Sequence, residues 1–255
     1  MRLKNKIALV TGSSRGIGKS IALQYAMEGA KVIVSATTLK SAEKTVNEIK
    51  QSGGEAFAIA VDIANKDNVF AMYEEILSQY DRLDIVVNNA GISMTKSTIE
   101  LTEDDWDRTI DINLKGTFLS CQIAAKKMFV QGGGCIINIS SIWGSAAAPE
   151  RAAYCASKWG VEGLSKVLAI EWASKGIRVN CIAPGYTYTD QVKELIERGI
   201  VKEEIFKKRI PLRRFATVKD IGNVAIFLAS EEASYINGEI IRVDGGFNAF
   251  GYLVE

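Results

Sequence analysis

Tyr154 and Lys158 are the two residues of this sequence whose types and spacing most directly suggest chemistry. Residues four apart on a helix lie on one face, one turn from each other, so we expect the phenol and the ammonium to be neighbours. A free phenol has a pKa of about 10, and a nearby positive charge favours the phenolate and lowers that pKa. A tyrosine tuned in this way can donate a proton to a ketone oxygen or take one from an alcohol. The pattern is short, and by itself it also fits two residues on a surface helix.

The acid–base groups open to this chain are limited, because the sequence contains no histidine. Mechanisms with a histidine base and metal sites with histidine ligands are therefore excluded, and Tyr, Lys, Asp, Glu or Cys has to do the work. Four cysteines occur, Cys121, Cys135, Cys155 and Cys181. None has C-x-x-C spacing and each lies in an apolar or small-residue stretch, so we expect buried thiols and no metal site.

The totals describe an ordinary globular protein of 255 residues, 47% hydrophobic and 24% charged, with a net charge of +1. This length suits a single α/β domain spanning residues 1–255. The balanced charge does not suggest a nucleic-acid or membrane partner. No apolar run approaches the roughly 20 residues of a membrane span, and the start of the chain lacks a signal-peptide layout. We expect a cytoplasmic protein.

A glycine-rich turn follows the first apolar run. Residues 6–11 form a predicted buried strand, the sequence from Gly12 to Gly18 reads G-x-x-x-G-x-G, and helical spacing follows over 20–28. Strand, glycine turn and helix together form the phosphate cradle of a dinucleotide-binding unit, in which the helix N-terminus faces the negative charge. The spacing differs from the usual G-x-G-x-x-G, so the motif alone is weak.

The second predicted strand, 31–35, bears on cofactor choice. An NAD-binding unit places an Asp or Glu after this strand to bind the ribose 2′-hydroxyl, and the sequence here is Ser35-Ala36-Thr37-Thr38. Arg15 in the glycine turn and Lys40 beyond the strand supply positive charge. No acidic side chain is present to repel a 2′-phosphate, and the nearby cations would attract one. The sequence therefore favours NADP(H) over NAD(H). A merely solvated Arg15 is the alternative.

Strands and helices alternate along the rest of the chain. Predicted strands cover 56–61, 83–87, 135–139, 178–182 and 239–243, and predicted helices cover 41–51, 65–80, 102–131, the Tyr154 region to about 174, and 218–229. This alternation predicts a doubly wound parallel sheet of the Rossmann type, with helices on both faces. Strand ends at Thr11, Asp62 and Asn88 would line the carboxyl edge, where open α/β sheets bind ligands.

Two segments carry further expectations. Residues 186–214 are more polar, and we interpret them as a helical excursion that could cover a site. The helix around Tyr154 is apolar or small on nearly every face. We expect it to be buried on most sides, which suggests a subunit interface. Asn113, inside the predicted helix 102–131, is either a surface residue or a structural hydrogen-bonding residue.

Taken in order, these motifs resemble the short-chain dehydrogenase/reductase family over essentially the whole chain. The residues that carry the resemblance are Thr11-Gly12, Gly16-Ile17-Gly18, Asn88-Asn89-Ala90-Gly91, Asn113, Ser141, Tyr154, Lys158 and Pro184-Gly185. The resemblance implies an oxidoreductase that interconverts a ketone and a secondary alcohol, with a nicotinamide cofactor. It also implies a homo-oligomer, a tetramer in most members.

The resemblance assigns roles to individual residues. Tyr154 would be the acid/base, Lys158 would hold the nicotinamide ribose and lower the tyrosine's pKa, and Asn113 would anchor a water in a proton relay. Ser141 would bind the substrate carbonyl, with Ser140 as the alternative. The implied cofactor-binding set is Gly12, Ser14, Arg15, Gly16, Ile17, Gly18, Thr37, Asp62, Ile63, Asn89, Ala90, Gly91, Tyr154, Lys158, Pro184, Gly185, Thr187 and Thr189.

The substrate is less constrained. Within the family the chain most resembles 3-oxoacyl-(acyl-carrier-protein) reductases, which makes a 3-oxoacyl thioester the first expectation. Those reductases dock an acidic carrier with basic residues before the serine strand and after the Tyr/Lys helix, whereas this chain has Gly132-Gly133-Gly134 at the first place and keeps Lys175 at the second. Sugar or polyol dehydrogenase and general carbonyl reductase remain alternatives, and a non-catalytic dinucleotide sensor is a remote one. Three aromatic residues could either line the substrate pocket or pack in the core or the lid: Trp143, Tyr186 and Tyr188.

Overall fold

The structure is a computed structural model, and it describes residues 1–251. Its strands are Ile7–Val10 (β1), Lys31–Ala36 (β2), Glu55–Ala60 (β3), Ile85–Asn88 (β4), Gly134–Ile139 (β5), Ile177–Pro184 (β6), Thr187–Tyr188 (β7), Ala216–Thr217 (β8) and Ile240–Val243 (β9). Seven of them form one sheet in the order β3-β2-β1-β4-β5-β6-β9, in which every neighbouring pair is parallel. The predicted parallel sheet is confirmed.

Helices cover both faces of this sheet. They are Gly16–Met27 (α1), Leu39–Gln51 (α2), Lys66–Gln79 (α3), Glu103–Ile110 (α4), Gly116–Gln131 (α5), Ala152–Trp172 (α6), Asp190–Glu197 (α7), Glu203–Arg209 (α8) and Val218–Ala229 (α9). Successive residues of β1 enter different cores: Ala8 and Val10 pack with α1, α2 and α9, whereas Ile7 and Leu9 pack with α3, α5 and α6. A strand buried on both faces needs apolar residues at every position, which is why β1 has no polar alternation.

The sheet reverses its strand order at β1. This strand pairs with β2 on one side and with β4 on the other, so the connections leaving β1 and β4 diverge to opposite faces. Such a switch point leaves a crevice outside the carboxyl ends of the strands, and ligands of open α/β sheets bind there.

The predicted helix 102–131 is interrupted. Thr102 begins α4 with a capping box in which Asp105 completes the reciprocal bond, as predicted. A π-helical turn, Asp111–Lys115, then separates α4 from α5. The wider turn brings Asn113 into the interior, where it is 1% exposed. Asn113 is therefore a structural hydrogen-bonding residue and not a surface residue.

Other differences concern the ends of elements. Helix α1 begins at Gly16 rather than at residue 20, because the last two glycines of the turn already belong to its first turn. Helix α9 has the predicted bounds. The segment 186–214 contains β7, α7 and α8, and its aromatic side chains join Phe215 and Phe247 in a small separate core.

One expectation about burial is corrected. All four cysteines are free thiols, but Cys155 is only partly buried. Helix α6 buries Val161, Leu168 and Ala169 and, as expected for a single chain, leaves one side open, where Trp159, Val167 and Ile170 are 55%, 50% and 80% exposed. This face of α6 turns away from the sheet, so the fold of one chain cannot cover it. Within residues 1–251 no helix is long and apolar enough to cross a membrane.

Candidate active site

Tyr154 and Lys158 lie one turn apart on α6, as predicted, and both line a cavity of about 490 Å³ at the carboxyl edge of the sheet. Ser141, which follows β5, lines the same cavity. Residues from the β4 end, the β5 end and α6 therefore meet at one place, because neighbouring parallel strands bring their carboxyl ends to the same edge. The arrangement joins a phenol, a hydroxyl and an ammonium.

Lys158 is almost completely buried, with 5% of its surface exposed. Its Nζ atom donates a hydrogen bond to the carbonyl oxygen of Ile139 at 2.8 Å and lies 5.8 Å from the centre of the Tyr154 ring. Burial lowers the pKa of this lysine to about 8, because removal from water disfavours the charged form. A Cβ added to Gly91 would lie 3.6 Å from Nζ, an ordinary contact, and 3.2 Å from Asn113 Oδ1, which is tight.

Tyr154 does not have the lowered pKa that the sequence suggested. Burial raises the pKa of its phenol, while the Ser141 hydroxyl and the positive charge of Arg151 act in the opposite direction. Lys158 is not among the groups that lower this pKa; its ammonium is bonded to the Ile139 carbonyl and lies 5.8 Å from the centre of the ring. In this structure the phenol is a protonated acid at neutral pH.

The two serines after β5 have different surroundings. The Ser140 hydroxyl donates to Glu162 Oε1 at 2.8 Å, and this bond is buried. The Ser141 hydroxyl accepts one bond, from the backbone N–H of Trp143 at 3.2 Å, and its proton remains available to a ligand. Both serines line the cavity. The geometry favours Ser141 as the carbonyl-binding residue and makes Ser140 a support for α6.

Asn113 acts behind the cavity and does not line it. Its side chain binds the backbone of Ile92 in both directions, accepting from the N–H at 2.8 Å and donating to the carbonyl at 2.9 Å. It also donates to Ser157 Oγ at 3.0 Å, and that hydroxyl donates to the Tyr154 carbonyl at 2.7 Å. Asn113 thus ties the loop after β4 to the helix that carries the tyrosine.

A second cavity of about 590 Å³ continues the first along the sheet edge toward β2. The two share Arg15, Ile17, Asn89, Gly91 and Thr189, so they form one groove. Helix α1 begins at its wall, and the helix N-terminus directs unpaired N–H groups at the groove. These features fit the pyrophosphate of a dinucleotide.

Most of the predicted cofactor residues line this groove. Those found there are Gly12, Ser14, Arg15, Gly16, Ile17, Thr37, Asp62, Ile63, Asn89, Ala90, Gly91, Tyr154, Lys158, Pro184, Gly185, Thr187 and Thr189. Gly18 is the exception. A Cβ at Gly18 would come within 2.3 Å of Asn89 Nδ2, so Gly18 permits close packing between α1 and the loop after β4.

At the end of β2, where an NAD-binding unit would have an Asp or Glu, the residues that line the groove are not acidic. Ala36 and Thr37 line it together with Ser41 and Arg15, while Lys40 does not. Ser41 was missed because it lies in the first turn of α2, beyond the strand end. Arg108 also lines the groove; it comes from α4, and no local pattern connects that helix to the glycine turn.

The far side of the catalytic cavity is aromatic. Trp143 and Tyr186 line it, whereas Tyr188 packs on Phe215, with 5.1 Å between ring centres, and does not. Arg151 also lines this cavity and was not predicted. Its position three residues before Tyr154, one helical turn away, was the available signal.

Comparison with known proteins agrees with this geometry. The family model described as enoyl-(acyl carrier protein) reductase matches residues 12–248. The chain is 47% identical over 242 residues to 3-oxoacyl-(acyl-carrier-protein) reductase of Staphylococcus aureus, covering 94% of this chain and 97% of that protein. It is 41% identical over 248 residues to D-threitol dehydrogenase of Mycolicibacterium smegmatis, covering 96% and 94%.

A solved structure is similar over the same extent. A gluconate 5-dehydrogenase from Burkholderia cenocepacia, in complex with NADP and tartrate, superposes with a TM-score of 0.93 at 34% identity, covering 98% of this chain and 97% of that one. The similarity therefore includes the glycine turn, the Ser141 strand and the Tyr154 helix together.

Proposed function

This chain belongs to the short-chain dehydrogenase/reductase family and is an NAD(P)-dependent oxidoreductase acting on CH–OH groups; from that premise we propose that Tyr154 is its proton donor and acceptor and that NADP(H) is its cofactor. The single observation that carries the proposal is the meeting of Tyr154, Ser141 and Lys158 in one cavity at the end of a dinucleotide-sized groove.

In the reductive direction, Tyr154 gives its proton to the carbonyl oxygen of the substrate. The raised pKa of the phenol suits this role, because the group is protonated when the substrate arrives. The Ser141 hydroxyl donates a hydrogen bond to the same oxygen and stabilises the charge that develops there. When bound, the nicotinamide supplies the hydride to the carbonyl carbon, or accepts it in the reverse reaction.

Lys158 and Asn113 support this proton transfer. The Lys158 ammonium lines the cavity near Gly91, which supports the proposal that it binds ribose hydroxyls. Asn113 fixes α6 against the loop after β4. The water relay implied by family resemblance would begin at this residue, and its role in a relay is part of the proposal.

The preference for NADP(H) is supported by the β2 end of the groove. No carboxylate is placed there to bind a 2′-hydroxyl, and Arg15 with Ser41 offers donors to a 2′-phosphate. The solved gluconate 5-dehydrogenase holds NADP, which agrees with this preference in a relative.

A 3-oxoacyl thioester is the first substrate that we propose, because the relatives at 46–47% identity are 3-oxoacyl-(acyl-carrier-protein) reductases. Residues 186–214 would act as the lid over it. A polyol or sugar acid is the second candidate, favoured by the D-threitol dehydrogenase and gluconate 5-dehydrogenase relatives. The glycines at 132–134, in place of basic residues, are the feature that weakens carrier docking.

Two broader properties complete the proposal. We place the enzyme in the cytoplasm, a reducing compartment, since its four cysteines are free thiols. We also propose a homotetramer as its working form.

The test is NADPH oxidation with 3-oxoacyl thioesters, keto-sugars and simple diketones, in the wild type and in Tyr154→Phe. Phenylalanine keeps the ring but removes the proton, so we expect turnover to fall by at least about 10³-fold while NADPH still binds by fluorescence titration. Full activity in Tyr154→Phe would refute the assigned role. Tyr188→Phe is the matched control, because Tyr188 does not line the cavity.

A further inference from the structure

We propose that Arg151 binds a carboxylate of the substrate, so that the enzyme prefers oxo and hydroxy acids to neutral compounds with the same reacting carbon. The inference rests on the oxidoreductase function proposed above and adds a substrate class to it. It concerns a residue outside the Ser141, Tyr154 and Lys158 set.

Arg151 is placed beside the reacting atoms by the start of α6. It is the residue just before the helix, three positions ahead of Tyr154, and residues at this spacing lie on the same side of a helix. Both side chains line the 490 Å³ cavity, together with Ser141. A group held by Arg151 would therefore be a few bonds from the carbonyl that Tyr154 protonates.

The charged side chains that line this cavity are all positive. Its lining contains three cations, Arg15, Arg151 and Lys158, and no aspartate or glutamate. Arg15 also lines the cofactor groove, and the Lys158 ammonium is bonded to the Ile139 carbonyl. Arg151 is the cation left on the substrate side.

The guanidinium of Arg151 is largely uncommitted. Among residues 1–251 it forms no salt bridge, and its side chain bonds to the hydroxyl of Ser93. A guanidinium carries five N–H donors in a planar fork that matches the two oxygens of a carboxylate. One bond to an exposed serine leaves most of these donors free.

The backbone around Arg151 is fixed, which makes the cation part of the cavity wall. Glu150 has a left-handed backbone with φ of 62°, a conformation that costs free energy for a residue other than glycine. Its carbonyl accepts the N–H of Lys96 at 2.9 Å, and the Arg151 carbonyl accepts the N–H of Cys155 at 2.8 Å. The chain is held on both sides of the arginine.

The charge of Arg151 acts across the cavity. It lowers the pKa of both Tyr154 and Tyr186, although burial is the larger effect and raises the pKa of each. Tyr186 stacks on Phe215 and lines the same cavity as Tyr154. An anion bound in this cavity would share its lining with the guanidinium and the Ser141 hydroxyl.

A neighbouring cavity supplies the alternative position for an anion. It has a volume of about 570 Å³, shares Trp143 with the first cavity, and is lined by Arg209 and Arg242. Neither Ser141 nor Tyr154 lines it. An acid held there would not contact the proposed proton donor, so this cavity does not account for selection at the reacting carbon.

The test compares substrates that differ only in the charge near the ketone. Acetoacetate is measured against methyl acetoacetate, and 5-ketogluconate against its methyl ester, with NADPH and both wild type and Arg151→Gln. For the acids we expect kcat/KM to fall about 100-fold in Arg151→Gln, mainly through KM, as for loss of a charged hydrogen-bonding pair. For the neutral partners we expect a change below about threefold, and Arg151→Lys should recover part of the acid activity.

Arg242→Gln is the matched control, since it removes an arginine from the neighbouring cavity. The inference is overturned if the wild type does not prefer the acids, if Arg151→Gln affects both members of each pair equally, or if Arg242→Gln alone loses the acid preference. Activity on thioesters or diketones in a wild type that ignores the acids would overturn this inference but leave the proposed function intact. Loss of all turnover across the wider panel would instead contradict the proposed function.

Discussion

At the scale of single residues, burial shifts the pKa values of Tyr154 and Lys158 in opposite directions. The phenol has a raised pKa, and the lysine has a pKa lowered to about 8. Both shifts favour the neutral form, because charge is costly away from water. At neutral pH the phenol is therefore protonated, as the proposed proton donor has to be, while the lysine keeps its charge by a narrow margin.

The lowered pKa of Lys158 predicts a pH dependence of stability. A free lysine has a pKa of about 10.4, so between about pH 8 and 10.4 the unfolded chain binds more protons than the folded one. The free energy of unfolding should rise with pH over that window, by up to about 3 kcal/mol. We expect this rise in the wild type relative to Lys158→Met, measured by urea unfolding at about pH 7.5 and pH 10.

Lys166→Met is the control, because Lys166 is an exposed lysine on the same helix. Its difference from the wild type, measured at the same two pH values, is the reference for Lys158→Met. A difference for Lys158→Met that stays constant with pH would contradict the lowered pKa of Lys158.

The β2 end of the groove predicts cofactor preference. We expect kcat/KM to be at least about tenfold higher with NADPH than with NADH, a difference of roughly 1.4 kcal/mol. Arg15→Ala should weaken NADPH selectively, and Thr37→Asp should reverse the preference, because a carboxylate repels a 2′-phosphate and accepts a 2′-hydroxyl.

Lys40→Ala is the matched control for Arg15→Ala, since Lys40 lies outside the groove lining. It should leave the ratio of the two cofactors unchanged. A wild type that works better with NADH would refute our interpretation of this strand end.

At the scale of elements, the spacing of apolar residues predicts where strands and helices lie. Apolar runs located all seven strands of the main sheet, and α9 has its predicted bounds. The interruption of helix 102–131 could not be predicted, since the π-helical turn coincides with the bonds between Asn113 and the distant Ile92 backbone. Local spacing contains no information about that partner. The early start of α1 has a similar origin, since Gly18 has to pack against Asn89.

The π-helical turn yields a prediction for Asn113→Ala. This change removes three side-chain hydrogen bonds, one buried and two partly buried, and leaves the Ile92 backbone without those partners. We expect the free energy of unfolding to fall by about 2–4 kcal/mol and kcat to fall with it, because α6 loses its tie to the loop after β4. Urea unfolding and steady-state kinetics measure the two effects.

Asn65→Ala provides the comparison. Asn65 caps α3 through bonds to the N–H groups of Asp67 and Asn68 on the surface, so its loss should cost about 1 kcal/mol without changing kcat. If both variants lose the same stability and keep full activity, Asn113 has no role in positioning Tyr154.

At the scale of the whole molecule, the candidate site could be assembled from the sequence where motifs adjoin strand ends or share one face of a helix. Ser141 was found for the first reason, and Tyr154 was found through its spacing from Lys158. Ser41, Arg108 and Arg151 could not be found in this way, because helix packing brings them to the groove. Which residues of α6 stay exposed in one chain could be read only from the packed structure, and those residues define a surface.

That surface predicts assembly. Helix α6 exposes Trp159, Val167 and Ile170 on one side, and α5 exposes Val130 by 84%. Gly163 lies along the same side of α6, and a Cβ there would have no neighbour within 4 Å, so another backbone can approach closely. Exposed apolar surface of this extent, rimmed by polar residues, is typical of an interface between subunits.

We therefore expect the wild type to sediment as a homotetramer and Ile170→Glu to sediment as a smaller species, because a buried unpaired carboxylate is costly at an interface. Sedimentation velocity at several protein concentrations measures this. Ile99→Glu is the matched control, since Ile99 is 96% exposed on a loop and its replacement should leave the assembly intact. A monomeric wild type would refute the prediction, and an Ile170→Glu tetramer would place the interface on another face. Circular dichroism of Ile170→Glu should match the wild type, because no core contact of the single chain is lost when an 80% exposed side chain is changed.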